Sequence, residues 1–398
     1  MYTSEDCISQ KRIQLFPASF KLHTSYNSLI EYPPEGYIVL PPPAHNSSRI
    51  ISLLRRVPFV RKMYHLFLHI FKSNIFFEKM TDTKVPPNIA LVFAMSKIYN
   101  GNQPYVLEIL DNPFSIAGYK YEFFKRHKDE IKRQLSSRFC KKIICTHNPC
   151  LNYMKNNFPK EIAEKCTLVR TGVKEQPLHL RSKKDKSVVK LLFVGSITNS
   201  QDFYSKGGLE TVELFENVCQ RRNVNLTIRC KIPHEIADRI IKNKKITLIE
   251  KEISRDELQK LYLDSDIFLL PGHHFHLMAM LEAMSYGLPI IALDSYAFSD
   301  YVVNGYNGFL IKKSRHIKGY IDLSYPCNIR SKEFLAEIKN VDSRVIDDLC
   351  NKVTLLIDNK SLRDKYGKNS RKLISTRFSI KLRNTKLKYI FDEALRTA

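Results

Sequence analysis

The chain lacks any apolar run of the roughly 18–20 residues needed to span a bilayer. It also lacks the charged-then-apolar leader of a secreted protein. Met1–Gln10 is polar and carries Glu5 and Asp6, so no signal peptide is expected. Cysteines do not form the even, clustered set of a disulfide framework: there are nine, scattered from Cys7 to Cys350. Cys140, Cys145 and Cys150 are spaced too widely for a zinc pair, whose ligands usually stand two to four residues apart. Lys142–Cys145 reads as a buried strand, so these are expected to be buried free thiols in a reducing compartment. Internal repeats and long low-complexity tracts are absent. Recognisable zinc-finger, RNP or other nucleic-acid modules are absent as well. Together these absences predict a cytosolic chain, or one peripheral on the cytosolic face of a membrane.

Acidic residues are in deficit: Asp and Glu total 40 against 64 Lys and Arg, a net charge of +24 over 398 residues. Such an excess asks for an anionic partner, whether nucleic acid, anionic lipid or a phosphorylated small molecule. Hydrophobic residues make up 43%, which excludes disorder as the main theme. At about 150 residues per domain, the length predicts two or three domains, each able to bury its own core.

What is present is clearest between Val188 and Ile311. Short apolar runs recur at Lys190–Gly195, Leu226–Cys230, Ile246–Glu250, Ile267–Pro271, Ile290–Leu293 and Gly308–Ile311. Segments with helical spacing separate them: Leu209, Val212 and Phe215 share a face, as do Ile236, Ile240 and Ile241, and Leu258, Leu261 and Tyr262. The last helix opens on Ser254-Arg-Asp-Glu257, a capping box. Continuous apolar strands alternating with helices predict a parallel sheet covered on both faces, in a Rossmann-like domain. The first half carries weaker strands at Tyr37–Leu40, Ile89–Met95, Tyr105–Leu110, Lys142–Thr146 and Thr167–Thr171, with a charged helix over Tyr119–Arg138. The region from Lys332 to Ala398 reads as helices. The expected organisation is therefore a first α/β domain over 1–180, a basic linker over 181–187, a second over 188–375, and a helix over 376–398 that returns to the first domain. Two such domains imply a cleft in which ligands of open α/β sheets bind.

Two segments are candidates for chemistry. In Pro271-Gly-His-His-Phe-His-Leu-Met-Ala-Met-Leu-Glu-Ala-Met-Ser-Tyr-Gly-Leu-Pro289 a strand ends and a helix begins near His276, with Leu277, Leu281 and Met284 as its apolar stripe. The free N–H groups of such a helix start favour a phosphate. Glu282 is off the stripe, where it is either a ligand for sugar hydroxyls or a solvated surface residue. The second segment, Gly195 to Gly208, follows a strand and opens a helix. Its glycines let backbone approach a ligand, and Lys206 places a point charge. It is not a Walker loop, because no Gly-Lys-Ser/Thr occurs. Asp264-Ser-Asp266 reads as capping rather than as a metal motif. His273, His274 and His276 lack an acidic or cysteine partner at helical spacing, so no metal is expected.

In this order, Leu191-Leu-Phe-Val-Gly195, Lys206-Gly-Gly208, Ser254–Leu258 with Leu261-Tyr262, Asp266-Ile-Phe-Leu-Leu-Pro271, Leu281-Glu-Ala-Met-Ser-Tyr-Gly-Leu-Pro-Ile290, and Asp300-Tyr-Val-Val-Asn-Gly-Tyr-Asn-Gly-Phe-Leu310 resemble the retaining family 4 nucleotide-sugar glycosyltransferases. Thr171-Gly172-Val173 matches the same family's first-domain end. The resemblance implies a GT-B fold, α/β, with two Rossmann-like domains facing a cleft and a helical C-terminal tail. It implies sugar transfer from a nucleotide-sugar donor to a glycan or lipid-linked acceptor, with retention and without a metal or other cofactor. Carried over by position, Glu282 faces the donor ribose and Lys206 the donor diphosphate. His274 stands where the family has a sugar-facing Glu. Leu277 stands where it has a glycine, so the backbone N–H groups of Leu277 and Met278 are left to bind phosphate. Ser196 stands where it has an Arg, and Lys231 is the cation expected to substitute. Gly195, Gly207 and Gly208 complete the donor set. Glu108 and Asp111, in Pro104–Asp111, are the acceptor-side candidates, the alternative for both being a turn or cap. These departures keep open a second reading, a GT-B protein that binds nucleotide or glycan without turnover.

The basic stretch Arg49–Lys79 interleaves Arg55, Arg56, Arg61, Lys62 and Lys72 with Phe59, Phe67, Phe71 and Phe76. It fits either an interfacial helix on anionic lipid or a helix whose apolar face packs inward. Nucleic acid is not expected as a partner.

Overall fold

Apolar runs with helices between them build two six-stranded, all-parallel sheets. The computed structural model describes residues 10–17, 24–42, 85–86, 88–177, 187–321, 325–326, 328–329 and 331–396. The chain divides into two units: 1–146, 150–169 and 384–398 form the first, and 147–149 with 170–383 form the second. The basic stretch Arg49–Lys79 and the linker Arg181–Lys186 lie outside the described residues.

The first unit's strands are β1 (Lys11–Phe16), β2 (Tyr37–Leu40), β3 (Leu91–Met95), β4 (Tyr105–Ile109), β5 (Cys140–Cys145) and β6 (Cys166–Leu168), in the order β2-β1-β3-β4-β5-β6. β1 was not expected from the sequence. The charged helix expected over Tyr119–Arg138 is two helices, Tyr121–Arg126 and Lys128–Ser136, broken at His127. Ile13, Leu15, Leu91 and Phe93 form the core with Leu387, Ile390 and Phe391 from the last helix, Ile380–Arg396. Phe391 meets Tyr37 and Phe93 edge-on, with ring centroids 5.3 and 5.8 Å apart.

The second unit's strands are β7 (Val189–Val194), β8 (Val224–Arg229), β9 (Ile246–Ile249), β10 (Ile267–Leu270), β11 (Ile290–Asp294) and β12 (Gly308–Lys312), ordered β12-β11-β10-β7-β8-β9. Each stands within a residue or two of its apolar run. Central strands β7, β10 and β11 are buried on both faces, as a helix-covered parallel sheet requires. The capping box is formed: Glu257 N donates to Ser254 Oγ (3.1 Å) and Ser254 N to Glu257 Oε2 (2.8 Å). Ile241, read as part of an apolar face, ends its helix exposed. Helices Lys332–Lys339, Ser343–Asp358 and Lys360–Arg377 follow. No helix among the described residues is long and apolar enough to cross a membrane. Cys140, Cys145, Cys150, Cys166, Cys219, Cys230 and Cys350 are free thiols.

Candidate active site

The second unit gathers most of the expected residues at the C-terminal edge of its sheet. After β7 the chain passes Gly195 and Ser196, makes a short helix, Asp202–Ser205, and turns at Lys206 and Gly207 into the helix Gly208–Cys219. Gly207 has φ +79°, and a methyl group there would overlap the Pro271 carbonyl. A methyl at Gly208 would strike the Phe203 ring, and one at Gly195 would strike Cys230 Sγ. The three glycines therefore have a packing explanation inside the protein. What they achieve is to seat the Lys206 turn against the end of β10.

From that end runs the histidine loop. His273 and His274 both donate their backbone N–H to Ser205 O, at 2.9 and 3.0 Å, which ties the loop to the Lys206 turn. The two side chains then part. His273 is buried, with Nε2 2.6 Å from Glu210 Oε1 and Nδ1 3.0 Å from Tyr320 Oη. His274 is half-buried, with Nδ1 3.2 Å from His276 Nε2. Burial, followed by the charge of Lys206 and by His274, pushes His276 well below the usual imidazole range. Burial pushes Lys206 down too; Cys230 and Asp202 oppose this, and Arg229 reinforces it. The helix Leu277–Ser285 begins directly after His276 without a side-chain cap, with Leu277 buried and Met278 half-buried. Its first N–H groups therefore receive no side-chain acceptor from the cap position. Among the described residues no group of three His, Cys, Asp or Glu is placed to hold a metal ion. Asp266 of the Asp264–Asp266 pair instead accepts from Lys190 N at 2.9 Å.

Glu282 is not a solvated surface carboxylate. It is half-buried, and Tyr262 Oη donates to its Oε2 at 3.1 Å. Tyr262 in turn stacks on Tyr286, with ring centroids 5.5 Å apart and planes 10° apart. Burial raises the Glu282 pKa, while the Tyr262 hydrogen bond and the charges of Arg255 and Arg229 work against the rise.

Ser196 carries no charge to this edge, and its Oγ lies 2.9 Å from Thr198 Oγ1. Lys231, expected to substitute for it, is exposed, and only its backbone N–H reaches over, to Ser196 O at 2.8 Å. The cation found beside the loop is Arg229, the last residue of β8, with Nη1 3.3 Å from Gly195 O. Reading the sequence missed it. Strand alternation was the available signal, since Val224, Leu226 and Ile228 are buried whereas Asn225, Thr227 and Arg229 face the other way.

In the first unit, Glu108 and Asp111 are half-buried beside phenols. Burial, and next Glu108, raise the Tyr26 pKa, and the charge of Asp111 acts on the exposed Tyr119. Ser96, at φ +49°, donates its N–H to Glu108 O (2.7 Å) and accepts from Leu110 N through Oγ (3.1 Å). The cap at this corner is Asn112, whose Oδ1 accepts from Phe114 N at 2.8 Å.

Residues 178–324 match the family described as Glycosyl transferases group 1. Comparison with curated proteins gives no significant match. Among solved structures, Anabaena Alr3699/HepE, crystallised with UDP and glucose, is similar with TM-score 0.60 and 12% identity over 96% of this chain and 99% of that one. The lipopolysaccharide glycosyltransferase WaaG gives 0.57 and 13% over 95% and 99%. TarM gives 0.53 and 17% over 76% of this chain and 54% of its own, so the chain spans about half of TarM. The fold is GT-B. In GT-B terms the matched segment contains β7–β12, the Lys206 turn, the histidine loop and Glu282.

Proposed function

We propose that this protein moves a sugar from a nucleotide-sugar donor to a glycan or lipid-linked acceptor, with retention of anomeric configuration and without a metal ion. The observation that carries the proposal is that the charge of Lys206 reaches His276 at the uncapped start of the Leu277–Ser285 helix, with Glu282 on the same helix. Transfer breaks the bond between the anomeric carbon and the diphosphate, and negative charge develops on the departing phosphate. Donors already aimed at that charge lower the barrier, since they need no reorganisation when it appears. Lys206 supplies a positive charge, and the N–H groups of Leu277 and Met278 supply dipoles. Glu282, oriented by Tyr262, offers its free oxygen to ribose hydroxyls. His276, kept neutral by its surroundings, holds His274 by a hydrogen bond and adds no charge next to the sugar. Glu108 and Asp111 are the acceptor-side residues of this reading.

A donor panel of nucleoside diphosphate sugars, with transfer followed by anomeric proton NMR in the presence of chelator, tests all parts of it. Retained configuration, insensitivity to chelator, and loss of turnover in Lys206→Ala and Glu282→Ala are expected. Ser196, His274 and Leu277 favour the second reading, binding without turnover. Nucleotide binding with no transfer or hydrolysis of any donor would establish that reading instead. Docking of Arg49–Lys79 on anionic lipid is a separate proposal. Liposome co-sedimentation at low salt decides it, with no pelleting on anionic vesicles counting against.

A further inference from the structure

The site contains a guanidinium that makes no ion pair among the described residues. β7 and β8 pair in parallel, with Val194 opposite Arg229. Past the sheet edge the two segments stay together, through Gly195 N to Arg229 O at 2.8 Å and Lys231 N to Ser196 O at 2.8 Å. Arg229 therefore leaves the sheet alongside Gly195 and Ser196. Its Nη1 is fixed on Gly195 O at 3.3 Å, while its Nε is buried with no hydrogen-bond partner. Neither Arg229 nor Lys206 forms an ion pair among the described residues, although Asp202 acts on Lys206 through its charge. The two cations oppose one another, and the field of Arg229 also reaches Glu282. Like charges held together in a partly buried site destabilise each other, and a bound anion reverses the sign of that interaction. The half-buried guanidinium spends one hydrogen bond on Gly195 O, and its planar fork has further donors to offer an anion.

We propose that Arg229 and Lys206 jointly bind the donor diphosphate, with Arg229 supplying from the neighbouring strand the guanidinium that position 196 lacks. This rests on the nucleotide-sugar reading above and specifies how its leaving group is held. A planar fork and a point charge suit two linked phosphates better than one, because the fork takes two oxygens of one phosphate and the ammonium sits on the other.

Calorimetry on the full chain with uridine, UMP and UDP, and with the guanosine and adenosine series, tests the assignment. For the base that binds, UDP or its counterpart is expected to bind at least about tenfold more tightly than the monophosphate, consistent with charge-assisted contacts. Arg229→Gln should erase most of that ratio while leaving nucleoside affinity within about twofold. Moving the charge back, in Ser196→Arg with Arg229→Gln, should restore at least part of it. Arg229→Lys, which keeps charge without the fork, should fall between and guards against loss of folding in the glutamine variant. A wild-type diphosphate-to-monophosphate ratio in a folded Arg229→Gln protein overturns the role of Arg229 alone. No binding of any nucleoside diphosphate by the unaltered protein overturns the nucleotide-sugar reading, and this proposal with it.

Discussion

His273 and His274 are neighbours in sequence, yet they belong to opposite kinds of site. His273 is buried, and both its ring nitrogens are taken, by Glu210 and Tyr320. His274 turns toward His276, which feels the charge of Lys206, and Lys206 and Arg229 stand without a carboxylate ion pair among the described residues. In the first cluster both imidazole nitrogens are hydrogen-bonded within the protein, and it serves as scaffold. The second is incomplete in charge, as a site for a polyanion must be before its ligand arrives. The contrast also shows how they cooperate. Glu210 sits on the helix that opens after Lys206, so the His273 pair fastens the histidine loop to the Lys206 turn. A paired histidine thus positions a turn whose cations have no ion-pair partner among the described residues.

The largest effect that could break this contrast is on turnover. Lys206→Met is expected to lower kcat by about 10²–10³, the cost of removing one preorganised charge donor. Its melting temperature without ligand should not fall, because burial already disfavours the charged lysine. A lower melting temperature would move Lys206 to the scaffold class. Glu210→Ala tests the opposite side. It leaves a buried imidazole without its carboxylate and should cost about 1–3 kcal/mol. In a unit of this size each kcal/mol is worth roughly 2–4 °C of melting temperature, and an unchanged melt would remove the pair from the scaffold.

Glu282→Gln sharpens the comparison further. The folded protein raises this carboxyl's pKa, so its favourable contribution is present below the ordinary glutamate range and lost as pH rises through the raised value. At neutral pH the charge is a net cost. The glutamine variant should melt higher without ligand and gain less on adding nucleotide; a lower melt contradicts the sign. The smallest effect is the pH dependence of nucleoside diphosphate affinity. Lys206 has a depressed pKa, so affinity should begin to fall at a pH below the ordinary lysine value of about 10.4. Titration calorimetry across alkaline pH should show that fall in the unaltered protein and lose it in Lys206→Met.

Much of the second unit was legible because its strands are uninterrupted apolar runs and its turns carry local signals, such as Ser254 with Glu257. β1 was missed because Lys11, Arg12 and Gln14 break its apolar pattern. Gln14 is nonetheless buried, and its side-chain amide donates to Pro41 O, a partner that sequence spacing does not reveal. The site residues followed the same division. Lys206 and Glu282 were singled out by motif, but the hydrogen bond that holds Glu282 comes from Tyr262 on a different helix. The partner of His273 lies 63 residues away at Glu210. Arg229 was passed over for Lys231 because both are basic and only strand register separates them. Local periodicity gives elements and motif positions, whereas burial and pairing come from contacts distant in sequence.

The last helix has a consequence for the order of synthesis. Leu387, Ile390, Phe391 and Ala394 are buried in the first unit, Tyr37 Oη donates to Asp392 Oδ1 at 2.6 Å, and Lys142 pairs with Glu393 at 2.7 Å. The part of the protein made first is therefore finished last, after residues 170–383 have been translated. At about 5–20 residues per second, that leaves β1–β6 with an uncovered face for on the order of ten to forty seconds on the ribosome. A nascent chain arrested before Asn384 should bind a trigger-type chaperone through this face and release it once Phe391 emerges.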